Sequence, residues 1–535
     1  MVKELDRSQL TIEQKLGQLI CANLNHGEWD VDNAVALVKE RKLGAIWIQP
    51  NDKNREERVR RVLEAADYPI LVMCDAEEGA EGYTIPQGIV MTAARQSEEL
   101  AYSFGRITAT AHRKMGYNVV CNPIVDISAN RSGCCGSNTR GFGPSAEDAA
   151  NLGAAVARGM KDAGIMAVAK HFPGHGWKGD PVRDSHMCEG LSTVPLDVVK
   201  EKNCLPYRKL VSEGLIDGVM VGHQRFVNVD PERPASLSKA AMDLLREETG
   251  FDGFVISDAL NMMGIVLKYG EGDPIAMFVE AGGDLPLPWG IDCKKSYDYL
   301  LDAYRRGVVS DEAVEKALTR VLAAQHKAAN LPPIGEILPE DVENIHRLHR
   351  ECVSSFCAEG LLPHVSREGR HLFTLATDAS LGVPPEDYTP GPTDWFFPHL
   401  IVEKINELFP NSDVESVPIF PTTRTNMYFL DKQTKYDDIV FITFYQSAAY
   451  IGREHLTSRL VDLMDALQTT DRIVAHLHFG NPFVATDAPY VPRVLLGYTS
   501  HECVMHTLDI LAGEAEAVGY MPYTLEFHKK GDVFS

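Results

Sequence analysis

Eight short apolar runs, each followed by a helix-sized stretch of mixed polarity, constrain the fold of this chain more than any other feature. They are QLICAN from Gln18, LGAIWI from Leu43, ILVMCD from Ile70, YNVVCNP from Tyr117, IMAVAKHF from Ile165, GVMVGH from Gly218, GFVISDA from Gly253 and GDLPLP from Gly283. Runs this short, apolar on both faces, predict parallel strands covered on each side by crossover helices. Eight in succession predict a closed (β/α)8 barrel. A helix from about Ser310, with Val314, Ala317, Leu318, Val321 and Leu322 on one face, is placed to complete that domain.

The prolines of NLPPIGEILPED break the pattern, so residues 1–330 are expected to form the barrel, 331–345 a linker and 346–535 a second domain. In the second domain HLFTLAT, SVPIF, DIVFITF, RIVAHLHFG and RVLLGYT alternate with amphipathic stretches such as REHLTSRLVDLMDAL. That alternation predicts an α/β sandwich on a wound, mostly parallel sheet. A chain of 535 residues exceeds the size at which a single core stops growing, which fits two domains.

The 52 Lys+Arg against 75 Asp+Glu, a net charge of −23, disfavour nucleic acid and anionic membranes as partners and point to a small ligand. The N-terminal MVKELDRSQL lacks the basic start of a secretory leader, and no apolar h-region follows it. No apolar run is long enough to span a bilayer. The eleven cysteines have no regular spacing, and several, such as Cys21, Cys74 and Cys121, fall inside strand-like runs. Free core thiols in a reducing compartment are expected, hence a cytoplasmic protein. The vicinal Cys134 and Cys135 have no second pair at ligand spacing and are expected to be ordinary loop residues.

Polar residues collect where the barrel strands end. Asp75 closes the third run, Asn122 the fourth, Lys170 and His171 the fifth, His223 the sixth and Asp258 the seventh. Singly, Asp258 could cap the next helix and His223 could be a satisfied structural histidine. Together they would face one mouth, and the C-terminal ends of barrel strands are where such folds build active sites.

The stretch AKHFPGHGWKGDPVRDSH, Ala169 to His186, lies between the fifth strand and its helix, over the same mouth. Pro173, Gly174 and Gly176 forbid the helical spacing of an ordinary zinc site, no thiolate contributes, and no metal is expected. The Walker spacing of a phosphate cradle is absent. Acid/base chemistry remains: in an extended DSH segment Asp184 and His186 project to one side, so the carboxylate can hold one ring nitrogen and leave the other for proton transfer.

On these residues the chain resembles glycoside hydrolase family 3, in particular its β-N-acetylglucosaminidase branch. The resemblance is carried by KHFPGHG at Lys170 to Gly176, DSH at Asp184 to His186 and GFDGFVISD ending at Asp258, with weaker agreement at CDAEEG, TRGFG, PASLS and GNPFVATDAPYVPRVLLGYTS. It implies a retaining exo-β-N-acetylglucosaminidase in which Asp258 is the nucleophile and His186, supported by Asp184, is the general acid/base. It implies that Asp75, Arg140, Lys170 and His171 hold the sugar; His223 joins them as a substrate-binding candidate from its strand end. No metal or organic cofactor is implied.

A histidine in place of the usual carboxylic acid would not repel an incoming anion, so phosphorolysis by the same site stands as an alternative, as does action on β-glucosides. The alternative from another class is a sugar-binding protein without turnover, against which the joint presence of nucleophile and proton shuttle argues. The chain reads DAEEGAEG from Asp75, without the arginine usual in relatives that act on cell-wall fragments, so the aglycone stays open. Homodimerisation is one role left open for the second domain.

Overall fold

The computed structural model describes residues 4–25, 27–85, 88–128, 131, 137–175, 183–376, 397–445 and 454–532. Cys134 and Cys135 lie outside them. The chain divides into two compact units, one of Met1–Thr84 with Glu98–Asn344, the other of Ile85–Ser97 with Ile345–Ser535.

The first unit is the eight-stranded parallel barrel. Its strands are β1 (Cys21–Asn23), β2 (Ala45–Trp47), β3 (Leu71–Asp75), β4 (Val119–Cys121), β5 (Met166–Phe172), β6 (Gly218–Val221), β7 (Phe254–Ala259) and β8 (Leu285–Leu287), neighbours in that order, and β8 returns beside β1. Each falls within one of the eight apolar runs. Residues such as Ile46, Met73, Val120, Val168, Val219 and Ile256 are wholly buried, as parallel strands covered by helices require.

The helices that cover β4 and β5 approach by backbone. A Cβ on Gly105, in the helix Glu98–Lys114, would lie 2.0 Å from the Val156 carbonyl, and one on Gly159, in the helix Ala146–Asp162, would lie 2.1 Å from that of Tyr102. Only glycine permits that spacing, which seats both helices firmly behind the strands that end at the mouth.

The second unit has a six-stranded sheet of β9 (Ser354–Cys357), β10 (His371–Ala376), β11 (Asp413–Val417), β12 (Asp438–Tyr445), β13 (Ile473–Gly480) and β14 (Arg493–Gly497), ordered β9-β14-β13-β12-β10-β11. All neighbours are parallel except β9 with β14. Two details depart from the pattern seen in the sequence. The second strand of the series ends at Val417 rather than continuing through Ile419, and the antiparallel edge strand β9, with the polar sequence SSFC, carries no apolar run to announce it. Residues 85–97, expected in the barrel domain, group instead with this unit: Tyr520 N donates to Ala93 O (2.7 Å) and Arg95 Nε to Val518 O (2.7 Å). The end of the expected linker 331–345 is taken up by the helix Pro339–Glu351. No helix among the described residues is long and apolar enough to cross a membrane.

Candidate active site

The mouth is assembled from strand ends, and its first half is an ion network. The β5–β6 ladder slips register between Lys170 and Phe172, so the neighbours Lys170 and His171 both find polar partners inside. Lys170, 2% exposed, donates from Nζ to Asp75 Oδ1 (2.6 Å) and pairs with Glu77 Oε1 (2.5 Å). Arg140 grips the same Glu77 with two parallel bonds, Nε to Oε2 (2.9 Å) and Nη2 to Oε1 (2.7 Å). Burial alone would discharge these groups. For Lys170, the Asp75 and Glu77 carboxylates outweigh it and keep the ammonium firmly protonated. For Glu77, Arg140 and Lys170 overcome burial and hold the carboxyl well below the ordinary range. Asn122 Nδ2 donates to the Ala76 carbonyl (2.7 Å), which pins the turn that carries both acids.

The second half is a set of imidazoles around one carboxylate. Asp258, near the end of β7, accepts at Oδ1 from the Ala259 amide (2.7 Å). The protein packed around it would raise its carboxyl, but the imidazoles of His171, His223 and His186, with that amide, bring it below the usual carboxylate range. It is therefore ionised throughout the neutral range.

His186 and Asp184 form the expected pair, but on a turn rather than the expected extended segment: Asp184 Oδ1 accepts from His186 Nδ1 (2.7 Å) and from the His186 backbone amide (2.9 Å), while the Asp184 carbonyl accepts from the amides of Met187 (2.9 Å) and Cys188 (3.0 Å). The carboxylate thus fixes the ring through the segment that carries it. The loop is tied to the helix Met263–Tyr269, which follows Asp258, by Met263 N to His186 O (3.2 Å) and Gly264 N to Ser185 O (3.0 Å). A Cβ at Gly264 would lie 2.8 Å from the Cys188 carbonyl, so the residue must be small for the loop to seat there.

His223 is held differently. Its Nε2 donates to the Ala259 carbonyl (3.0 Å), which leaves Nδ1 to accept from Ser236 Oγ (2.7 Å). Both ring nitrogens are used within the protein, so His223 is tied to the end of β7 and, contrary to the expectation from its strand end, offers no ring nitrogen to a sugar hydroxyl. Burial also pushes its basicity below the usual imidazole range.

His171, Asp258, His186 with Asp184, and His223 are thus brought around one centre, and Lys170 joins Asp75 to Arg140 through Glu77. Three members of the site were not predicted. Glu77 lies in the CDAEEG motif and is the common partner of Lys170 and Arg140. Asp126, wholly buried on the segment after β4, takes three N–H donors: His171 N at Oδ1 (3.0 Å), and His171 Nδ1 and His175 Nδ1 at Oδ2 (2.8 Å each). The third is His175 itself. An aspartate inside the apolar PIVDI stretch was the available signal, because a carboxylate placed in a core needs donors brought to it. Asp126, His171 and His175 are also grouped closely enough to hold a metal ion. Both Nδ1 atoms are directed at the carboxylate, which gives each of them a hydrogen-bond partner there.

A cavity of about 380 Å³ opens near the other ends of the strands, lined by Asp217, Phe254, Arg320 and Lys327 among others. Its cations are engaged, Lys327 with Asp217 and Arg320 with Asp284 (3.3 Å), and none of the candidate residues reaches it. That end of a barrel serves stability.

Residues 11–324 match the glycosyl hydrolase family 3 N terminal domain. The beta-hexosaminidase LpqI of Mycobacterium tuberculosis is 33% identical over 334 residues, 58% of this chain and 82% of that protein. A beta-N-acetylglucosaminidase/beta-glucosidase of Cellulomonas fimi is 25% identical over 550 residues, 95% of this chain and 93% of that one, so that match runs through both units. Among solved structures, a glycoside hydrolase family 3 beta-N-acetylglucosaminidase from Paenibacillus sp. str. FPU-7 superposes with a TM-score of 0.79 at 25% identity, over 96% of this chain and 99% of that one. The beta-glucoside phosphorylase BglX shares the fold, with a TM-score of 0.81 at 23% identity over 97% of this chain and 94% of its own.

Proposed function

The chain belongs to glycosyl hydrolase family 3, and from that premise we propose that it is a retaining exo-β-N-acetylglucosaminidase whose nucleophile is Asp258 and whose general acid/base is the His186–Asp184 dyad. The observation that carries the reading is the meeting of this loop-borne dyad with an ionised carboxylate at the end of β7: His186 is one of the three imidazoles that bear on Asp258, and its carbonyl accepts from Met263 N in the helix that follows (3.2 Å). Each half does what the other cannot. Asp258 attacks the anomeric carbon while imidazolium His186 gives its Nε2 proton to the departing oxygen, Asp184 holding Nδ1–H throughout. Neutral His186 then takes a proton from water, which displaces Asp258 from the sugar.

Asp75, Arg140, Lys170 and His171 hold the sugar in this reading, and Glu77 keeps the two cations in place. His223 keeps its hydrogen bonds within the protein and acts on Asp258. The printed names of the relatives, beta-hexosaminidase for LpqI and a dual N-acetylglucosaminidase/glucosidase for the Cellulomonas fimi protein, support N-acetylglucosamine as the sugar and leave β-glucosides as a second substrate. A neutral imidazole as base supports phosphate as a competing acceptor, since it does not repel an anion as a second carboxylate would. The proposal includes a cytoplasmic, reducing setting, supported by nine described cysteines with free thiols, seven of them buried.

The test is turnover of an aryl β-N-acetylglucosaminide by the purified chain, with and without phosphate. Free N-acetylglucosamine under both conditions is the expected result. A sugar 1-phosphate formed only with phosphate would make the enzyme a phosphorylase, and no turnover of this substrate would refute the proposed specificity.

A further inference from the structure

We infer that Asp126 is a positioning residue that sets the hydrogen-bonding polarity of the contact His171 makes with the sugar. The inference rests on the glycosidase reading above, but its structural half can be tested without turnover.

The backbone amide of His171 can only donate, and it donates to Asp126 Oδ1 (3.0 Å). The other oxygen, Oδ2, faces Nδ1 of both His171 and His175 at 2.8 Å. A carboxylate only accepts, so both imidazoles must carry their proton on Nδ1. Burial pushes His171 down to about 4, so at neutral pH the ring has no second proton. Its Nε2 is then a lone pair. That atom meets no hydrogen-bonding partner among the described residues and is not sealed from solvent, and the ring bears on Asp258.

The consequence is a division of labour in the mouth. Lys170 and Arg140 can only donate to a bound sugar, whereas His171 Nε2 is held as an acceptor for one hydroxyl proton. With the opposite tautomer the same atom would point N–H against that O–H. Because the sugar's hydroxyls are fixed by its other contacts, such a hydroxyl would have to turn away or be lost as a partner.

Asp126→Asn inverts this arrangement at nearly constant shape. The backbone amide still demands an acceptor, so the carbonyl of the substituted side chain must occupy the Oδ1 position and its NH2 must face the two histidines. Both Nδ1 atoms become acceptors and their protons move to Nε2. Histidine ring-nitrogen NMR on the full chain reads this directly. The native protein is expected to show Nδ1–H on His171 and His175, and Asp126→Asn to show Nε2–H. On an aryl β-N-acetylglucosaminide the variant is expected to lose kcat/KM on the order of 10²-fold, the scale of a misplaced contact. Asp126→Asn combined with His171→Gln should then be no worse than His171→Gln alone, because Asp126 acts through His171.

Nε2–H on His171 in the native protein overturns the proposal, and that measurement stands even if Asp126→Asn fails to fold. So do losses that multiply in the double variant, which would mark Asp126 as structural. If the native enzyme does not turn over the glycoside, the reading of the reaction fails, while the ring-nitrogen spectra still decide the tautomer.

Discussion

Each unit buries a pair of histidines, and the two pairs are built on different chemistry. In the barrel, His171 and His175 share the Asp126 carboxylate at the strand ends. In the second unit, His476 and His478, both on β13, share a hydroxyl: His478 Nε2 donates to the Asn481 carbonyl (2.8 Å), so its Nδ1 accepts from Thr443 Oγ1 (2.7 Å), and Thr443 in turn accepts from His476 Nε2 (2.8 Å). The second arrangement is a neutral chain that ends on the backbone and needs no charge. The first brings a full charge into a core, which is stable only because three N–H groups converge on it. A fold that needs only to fill space has the cheaper solution at hand in its other unit, so the charged cluster belongs with the chemistry at the mouth.

The charged mouth is expected to matter far more for turnover than for stability. Removing the proposed nucleophile in Asp258→Ala is expected to lower kcat/KM by ~10⁴-fold or more while the thermal unfolding midpoint moves by only a few degrees, checked by steady-state kinetics beside calorimetry. Asp184→Asn keeps the shape but can no longer hold His186 Nδ1–H by charge. A loss of roughly 10² to 10⁴-fold is expected, larger for alkyl than for nitrophenyl leaving groups because the latter need little protonation.

The hydroxyl-linked pair should give the mirror result. Thr443→Val leaves His476 and His478 without their shared partner in a dry core, a cost of about 1–3 kcal/mol, and should leave kcat/KM unchanged; denaturant unfolding followed beside activity checks it. The smallest effect is the acid response. Burial pushes His478 down to about 4 and His476 to about 3, and His171 to about 4. Between the ordinary imidazole value of 6.5 and those values the unfolded chain takes up protons that the folded one refuses, so stability falls as pH falls through that window. His476→Gln should flatten the dependence of the midpoint on pH between about 6.5 and about 4.

Much of the barrel was visible in the sequence because parallel strands buried on both faces must be apolar throughout, and all eight runs contain an observed strand. The second sheet was less legible at its edges. Strand β11 reads DVESV and β9 reads SSFC, because an edge open to solvent does not demand an apolar run. Of the mouth, the strand-end residues and the DSH pair could be named from position and spacing. Asp126, Glu77 and His175 could not, since their importance comes from convergence: Asp126 is 45 residues from His171 and Glu77 is 63 from Arg140. The use of both His223 nitrogens, by Ser236 and by the Ala259 carbonyl, likewise follows from chain paths that periodicity does not encode.

In the proposed reaction the sugar is carried covalently on Asp258 and released with the help of His186. Slowing the second step with His186→Ala and feeding an aryl β-N-acetylglucosaminide, whose leaving group needs little acid, should let the intermediate accumulate. Mass spectrometry of the quenched, digested protein is predicted to show one N-acetylhexosaminyl unit on the peptide that carries Asp258. Turnover with that peptide unmodified, or with the sugar on another residue, would contradict the account.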